Sequence, residues 1–328
     1  MNGCTQTGKP SISVLMSLYE PNLDWLRQQL VSIDAQDYPN VSLFIRDDCS
    51  PSVPFDEIER CVRESVHNVP CVLKKGEQNL GYNKSFELMT GEAAGDYFAY
   101  CDQDDIWLEN KLTVMMGALK QHGAELVCSD MYIIDSAGNE IADSVTRVRR
   151  HHQFRSGYDL TDTLWHKNFV SGCAMLISAK TARAALPFNP YMYYDHYLAL
   201  YAANEGLVIS LQQPLIRHRE HGDNQSGIML GVEDKSSYLK LRIEVPLDSV
   251  RWLLENFPAK PRLKETLQDG LKWLEARQAY QKGDMTSGKT IFALRHFSPY
   301  PSLFELAMPF MPKPVFNFII NASRKNIV

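Results

Sequence analysis

Three carboxylates fall within four residues at Asp102-Gln103-Asp104-Asp105, directly after the apolar run from Tyr97 to Cys101. Carboxylates that close repel one another unless a cation holds them. A hard divalent ion, Mg²⁺ or Mn²⁺, answers that need, because it takes a few carboxylates and completes its shell with phosphate oxygens and water. A nucleoside diphosphate carries such oxygens. The plainer reading of the same cluster is a solvated acidic turn capping the helix that begins near Leu108, since carboxylates favour a helix N-terminus. A second acidic pair, Asp47-Asp48, precedes Cys49-Ser50-Pro51. It can reach a pyrimidine imide or a ribose hydroxyl, although an acidic pair there is also ordinary turn chemistry. Together the two clusters describe a slot for a nucleotide.

The elements that must position these groups are legible as alternating periods. Ile12 to Tyr19 is a short apolar strand, and Leu23, Leu26, Leu30 and Ile33 follow at helical spacing. Val41 to Ile45 is a strand running into Asp47-Asp48. Val69 to Leu73 is a third strand, Asn83 to Met89 a helix, and Tyr97 to Cys101 a fourth strand running into the Asp102 cluster. A helix carrying Leu108, Leu112, Met115, Met116 and Leu119 precedes a strand over Leu126–Ser129. Such alternation predicts an α/β fold built from parallel β-α-β units, an open sheet with helices on both faces. Ligands then bind beyond the carboxyl ends of the strands, where both acidic clusters fall.

Ser144 to His152 is polar and basic and reads as a surface loop or lid. Phe169 to Ser178 resumes a strand, Asp195 to Asn204 reads as a helix and Leu207 to Leu211 as a strand, so a catalytic domain over residues 1–227 is expected. Residues 228–328 read as an α-helical region, with helices over Tyr238–Phe257 and Leu263–Tyr280. From residue 257 onward eleven Lys and Arg face five Asp and Glu, with Phe292, Phe297, Phe304, Phe310, Phe316 and Phe318 interleaved among prolines and bases. That tail suits packing on the main domain or a partner subunit, which leaves a homo-oligomer open. The sharper reading is peripheral contact with an anionic membrane.

The chain of 328 residues has a net charge of −5, which removes a global attraction to nucleic acid. No apolar run reaches the length of a membrane helix, and residues 1–10 lack a signal-peptide core, so a cytoplasmic protein is expected, at most peripheral on the inner face of the membrane. Seven scattered cysteines without metal or redox spacing read as reduced, mostly buried thiols. Gly283 to Thr290 spells a phosphate-binding G-x-x-x-x-G-K-T loop, but the residues before it are helical and polar where that loop needs a buried strand.

VLMSLYE, IRDDCS, NLGYNKSFE and CDQDDIW, in this order and spacing, resemble the inverting family 2 glycosyltransferases with a GT-A nucleotide-diphospho-sugar transferase fold, and are similar in particular to bacterial rhamnosyltransferase-like members. The resemblance covers about residues 11–227. It implies transfer of a sugar from a nucleotide-diphosphate donor, of the dTDP-rhamnose or UDP-hexose type, to an acceptor hydroxyl, with Mg²⁺ or Mn²⁺ at the acidic motif. By the same resemblance Tyr19 and Glu20 border the base, Asp47 binds it, Asp102 faces the ribose with Gln103 beside it, and Asp104 ligates the metal. The sequence departs at Glu20, where an Asn is usual, and at Cys49, where a Gly is usual. Tyr193-Tyr194-Asp195-His196-Tyr197 resembles the segment that supplies the catalytic base, with Asp195 as the match; a helix cap is the plainer role for that residue. An acceptor hydroxyl is a poor nucleophile, so a carboxylate in reach must take its proton.

His218 to Asn224 resembles the closing motif, in which His221 completes the metal shell and Arg219 neutralises the departing phosphate. Lys84 could also meet phosphate, or be an ordinary exposed lysine. The implied setting is bacterial cell-surface polysaccharide synthesis with a glycan or lipid-linked glycan acceptor. The alternative is a non-catalytic sugar-nucleotide-binding or scaffold subunit; a nucleotidyltransferase lacks its basic Gly-rich loop here, and no G-x-S-x-G or dinucleotide turn is present.

Overall fold

A computed structural model describes residues 8–149, 152–221 and 229–324. The chain divides into two compact units, one of Met1–Leu160, Lys167–Phe188 and Tyr193–His221, the other of Thr161–His166, Asn189–Met192 and Gly222–Val328.

In the first unit the order is β1 (Ile12–Leu18), α1 (Leu23–Asp34), β2 (Val41–Asp47), α2 (Phe55–Ser65), β3 (Cys71–Lys75), α3 (Tyr82–Glu92) and β4 (Tyr97–Cys101). Then come β5 (Ile106–Trp107), α4 (Lys111–His122), β6 (Leu126–Ile134), β7 (Glu140–Ala142) and α5 (Val145–Val148). The short α6 (Thr161–Leu164) belongs to the second unit. The first resumes with a 3₁₀ turn at Gly172–Ala174, β8 (Met175–Ser178), α7 (Ala179–Ala184), α8 (Tyr194–Glu205) and β9 (Val208–Arg219).

The nine strands form one mixed sheet in the order β3-β2-β1-β4-β8-β6-β9-β5, with β7 on β6. β3, β2, β1 and β4 are parallel, as the alternation predicts. The second half departs from that expectation: β8 runs antiparallel to both β4 and β6. β8 is entered directly from the 3₁₀ turn at Gly172–Ala174. β1 (ISVLMSL) is buried on both faces, as a central strand of a covered sheet must be. Leu26, Leu30 and Ile33 of α1 pack on it, each burial contributing about 1.5–3 kcal/mol. Asn22 caps α1 by accepting from the amides of Asp24 and Trp25.

Register brings the strand ends together. Leu18 pairs with Asp47, and Met16 pairs with Cys101, so β1, β2 and β4 end at one edge of the sheet. The stretch expected as a loop at 144–152 instead holds α5, with Ser144 accepting from the Thr146 amide; residues 150–151 lie outside the described residues. β9 runs to Arg219, well beyond the expected Leu211, because β6 continues beside it to Ile134. Cys61, Cys71, Cys101, Cys128 and Cys173 are free thiols, as is Cys49.

In the second unit α9 (Lys235–Leu239) leads through a π-turn into α10 (Val245–Asn256), followed by α11 (Pro261–Gln281), α12 (Gly288–Ala293), α13 (Pro299–Ala307) and α14 (Lys313–Arg324). Gly270 of α11 lies against Trp165, where a Cβ would stand 2.6 Å from the ring. Arg277 and Tyr238 both bond the buried Glu305. The G-x-x-x-x-G-K-T stretch follows helix α11 rather than a strand and opens α12, so it is no phosphate loop. Among the described residues no helix is long and apolar enough to cross a membrane. Gly227, the expected domain end, lies outside the described residues.

Candidate active site

At the end of β2, Asp47 and Asp48 are 1% and 2% exposed. Asp47 accepts the Ser50 hydroxyl at 2.6 Å, and Ser50 Oγ in turn accepts the Glu20 amide at 2.8 Å. Glu20 Oε1 accepts the Ser52 amide at 2.7 Å. These bonds knot the ends of β1 and β2 into one wall. Both departures from the family pattern sit in this knot in the left-handed backbone region: Glu20 at φ 48° and Cys49 at φ 64°. Asn and Gly are the residues that tolerate that conformation best, so the resemblance was reading backbone geometry there. Asp48 accepts the amides of Leu80 and Gly81 at 3.0 and 2.8 Å and thereby sets the loop that opens α3. Tyr19 is held at its backbone by Gln103, which accepts its N–H at 3.0 Å and donates to its carbonyl at 3.1 Å. Gln103 therefore ties β1 to the acidic loop.

The β4 end is built differently. Burial and the charges of Asp105 and Asp104 push the Asp102 carboxyl well above the usual range. Burial and Asp105 likewise raise Asp104, with His221 opposing. Asp104 Oδ2 lies 2.7 Å from His221 Nε2, and the His221 ring rests 4.9 Å from that of Trp25 on α1. Asp105 is fully buried, bonded to His218 Nδ1 and the Arg219 amide, both at 3.0 Å. Burial would raise it, but His218 and those hydrogen bonds outweigh burial and hold it below the usual range. The converse holds for His218, whose pKa is raised because the Asp105 charge and bond outweigh desolvation.

The side-chain donor atoms of Asp102, Asp105, Cys173 and His218 lie within 4.8 Å of one another. Burial keeps the Cys173 thiol protonated, and His218 Nδ1 is engaged by Asp105. Asp105 is held by His218, the Arg219 amide and the Cys173 thiol, which leaves the Asp102 carboxylate as the oxygen donor of the cluster. With the Asp104 carboxylate and His221 imidazole, paired at 2.7 Å, Asp102 supplies the oxygen and nitrogen donors that suit a hard divalent cation. Beneath it Lys111 is buried, donates to the Cys173 carbonyl at 2.6 Å and lies 3.3 Å over the Trp107 ring; burial lowers its pKa to about 8.

Asp195 sits in the first turn of α8, not at its cap, which is Tyr193. Oδ2 accepts the Gly172 amide at 3.0 Å, while Oδ1 accepts the His196 amide at 2.6 Å and Asn168 Nδ2 at 3.3 Å. Gly172 has to be glycine, because a Cβ would stand 2.0 Å from the Tyr194 hydroxyl. Burial raises Asp195 to about 6, against the pull of the His196 and Gly172 amides and the Arg149 charge. Its own charge is felt at Asp102.

The two expected phosphate ligands have protein partners in the structure. Arg219 is 1% exposed, and its guanidinium donates to the carbonyls of Asp104, Asp135 and Ser136 and to Gln28, under the Trp25 ring. It braces the acidic loop. Lys84 pairs with Glu87 on its own helix. The groups that sequence reasoning missed are Trp25, Lys111, Arg149, Asn168, Gly172 and Cys173. Of these, only Arg149 carried a signal, the run of bases in VTRVRRHH.

The family description Glycosyl transferase family 2 matches residues 13–182. An uncharacterised protein y4gI of Sinorhizobium fredii is 27% identical over 164 residues, 49% of this chain and 17% of that one. The dTDP-rhamnosyl transferase RfbG of Shigella flexneri is 23% identical over 228 residues, 66% of this chain and 75% of that one. The chain thus spans less than a fifth of the first relative and three quarters of the second. Among solved structures, S. aureus TarS 1–349 in complex with UDP-GlcNAc superposes with a TM-score of 0.57 at 12% identity, over 97% of this chain and 88% of that one. The mannosyltransferase PcManGT from Pyrobaculum calidifontis, in complex with GDP-Man and Mn²⁺, gives 0.58 at 14%, over 97% and 86%. These likenesses show the fold, a GT-A glycosyltransferase sheet. With that sheet, the acidic strand ends it aligns and a family match across more than half its length, this chain belongs to glycosyl transferase family 2.

Proposed function

We propose that the chain is an inverting glycosyltransferase that moves a sugar from a nucleotide-diphosphate donor, of the dTDP-rhamnose or UDP-hexose type, to a hydroxyl of a glycan or lipid-linked glycan in bacterial cell-surface polysaccharide synthesis. Residues 1–227 are read as the catalytic part and 228–328 as a helical appendage. The observation that carries this is the placement of Asp195: the Gly172 amide that orients it is one residue from Cys173, which lies against the Asp105–His218 pair. A candidate base and a candidate donor site thus meet in one unit. The relative from Shigella flexneri, named for dTDP-rhamnose, supports the donor type.

Asp47 and the Tyr19–Glu20 wall would receive the base, and Asp102 the ribose. Asp104 and His221, with the Asp102 carboxylate beside them, would hold Mg²⁺ or Mn²⁺, which when bound withdraws charge from the departing diphosphate. Asp195 takes the acceptor O–H proton while the acceptor oxygen bonds the anomeric carbon and the bond from that carbon to the diphosphate oxygen breaks. One displacement inverts the centre. Arg219 would neutralise the departing phosphate, and the charge of Arg149 is felt at both Asp195 and His218.

Asp195→Asn should cut transfer by about a thousandfold and leave donor binding intact, read as acceptor-dependent release of nucleoside diphosphate beside a donor titration. Comparable turnover in that variant would remove Asp195 from the base role. Wild-type donor binding with no transfer to any acceptor would favour the scaffold reading. Because the base must be ionised, wild-type transfer should also fall as pH drops through about 6. The groups whose charges bear on Asp195 there are Arg149 and Asp102, with Tyr82 and Tyr194 nearby.

A further inference from the structure

Lys111 is the first residue of α4, and its side chain is fully buried. Both facts cost free energy, because a lysine is almost never buried whole unless it is paired, and a cation in the first turn of a helix opposes the peptide dipoles. Among the described residues no carboxylate pairs with its ammonium, which donates to the Cys173 carbonyl at 2.6 Å and rests 3.3 Å from the centre of the Trp107 ring. A side chain there to balance the charges of Asp102 and Asp105 would set its nitrogen against their oxygens. An apolar side chain of the same length would fill the space without the desolvation cost. What the cation gains in this position is the carbonyl it holds, through a charge-assisted bond shielded from water.

That carbonyl belongs to the 3₁₀ turn Gly172–Ala174, whose own bonds run from the Ala174 amide to Ser171 and from the Met175 amide to Gly172. Lys111 ties the turn to α4. On one side of the held residue the Gly172 amide donates to Asp195 Oδ2 at 3.0 Å, and at the residue itself the Cys173 thiol lies against the Asp105–His218 pair. Oδ1 of Asp195 is held from within α8 by the His196 amide, so the Gly172 amide is what fixes Oδ2 from outside the helix. Glycine is forced at 172 by the Tyr194 hydroxyl, and glycine has the most backbone freedom of any residue. The direction of its amide must then be set by a neighbour. We infer that Lys111 is a positioning residue for sugar transfer: by holding the Cys173 carbonyl from α4, it fixes the turn whose Gly172 amide aims Asp195 at the acceptor. The inference rests on the reading of Asp195 as the base.

The test compares Lys111→Met, which keeps the length of the side chain and removes the donor, with Lys111→Arg, which keeps a charged donor. Three quantities are read on the full chain: kcat for acceptor-dependent release of nucleoside diphosphate, donor affinity, and amide hydrogen exchange across the turn. In Lys111→Met, kcat should fall by about a hundredfold, the cost of a misplacement on the order of 1 Å, while donor affinity is kept. Exchange at residues 171–174 should rise while β1 and β4 stay protected. Lys111→Arg should recover turn protection and kcat together. Unchanged exchange at the turn in Lys111→Met, or a changed donor affinity with kcat kept, would overturn the inference; the second result would make Lys111 a counter-charge. If Lys111→Met does not fold, Lys111→Arg decides alone: transfer lost with the turn still protected overturns the inference, and transfer moving with protection upholds it. Asp195→Asn separates the two readings. A loosened turn with full transfer, beside an inactive Asp195→Asn, removes Lys111 alone, whereas wild-type turnover in Asp195→Asn removes the base and this role with it.

Discussion

The two acidic strand ends look alike in sequence and are opposites in structure. At the end of β2, Asp47 takes the Ser50 hydroxyl and Asp48 takes the amides of Leu80 and Gly81, so each carboxylate finds its partners in neighbouring loops. At the end of β4, Asp102 and Asp104 are pushed above the usual carboxylate range by burial and by their acidic neighbours, and Asp105 alone is compensated, by His218. One end uses carboxylates to shape a pocket. The other crowds three carboxylates together and leaves two of them raised, which is the condition a bound cation relieves. Position at a strand's carboxyl end does not decide between these roles; the charges packed around each carboxyl group do.

The contrast can be broken by mutation. Asp104→Asn should lower transfer by about two to three orders of magnitude and abolish any effect of Mn²⁺ on donor affinity. Folding stability should hold or rise, because a like charge beside Asp102 and Asp105 is removed. Asp48→Ala should do the reverse, costing about 3 kcal/mol in denaturant unfolding because two backbone amides lose a charged acceptor. The smallest expected effect is at Cys49. Glycine adopts φ 64° without strain, so Cys49→Gly should raise stability by about 1 kcal/mol or less, measured the same way. A loss at Cys49→Gly would mean that the thiol itself supports the loop. If Asp104→Asn destabilised the fold as Asp48→Ala does, the distinction between the two ends would fail.

The parallel half of the sheet and both acidic ends were legible because they rest on local signals, the apolar runs at Ile12 and Val41 and the carboxylates that follow β2 and β4. The left-handed turn at Cys49 was legible only as a departure from a family habit. What sequence could not reveal was convergence. Lys111 from α4, Cys173 before β8 and His218 from β9 gather around the acidic loop, Trp25 from α1 lies on its partners His221 and Arg219, and Gly172 holds Asp195, all from segments far apart in the chain, and no spacing encodes such a meeting. The same holds for Arg219, whose hold on the carbonyls of Asp104, Asp135 and Ser136 no spacing encodes.

The central claim is that the aspartates after β4 and the diphosphate of an activated sugar share a divalent cation. Calorimetric titration of dTDP-, UDP- and GDP-sugars into the wild-type protein, with Mn²⁺ and then with chelator, tests it directly. One nucleotide class should bind at least about tenfold more tightly with the metal present. Affinity unchanged by chelation, or no binding of any of these donors under either condition, would contradict it.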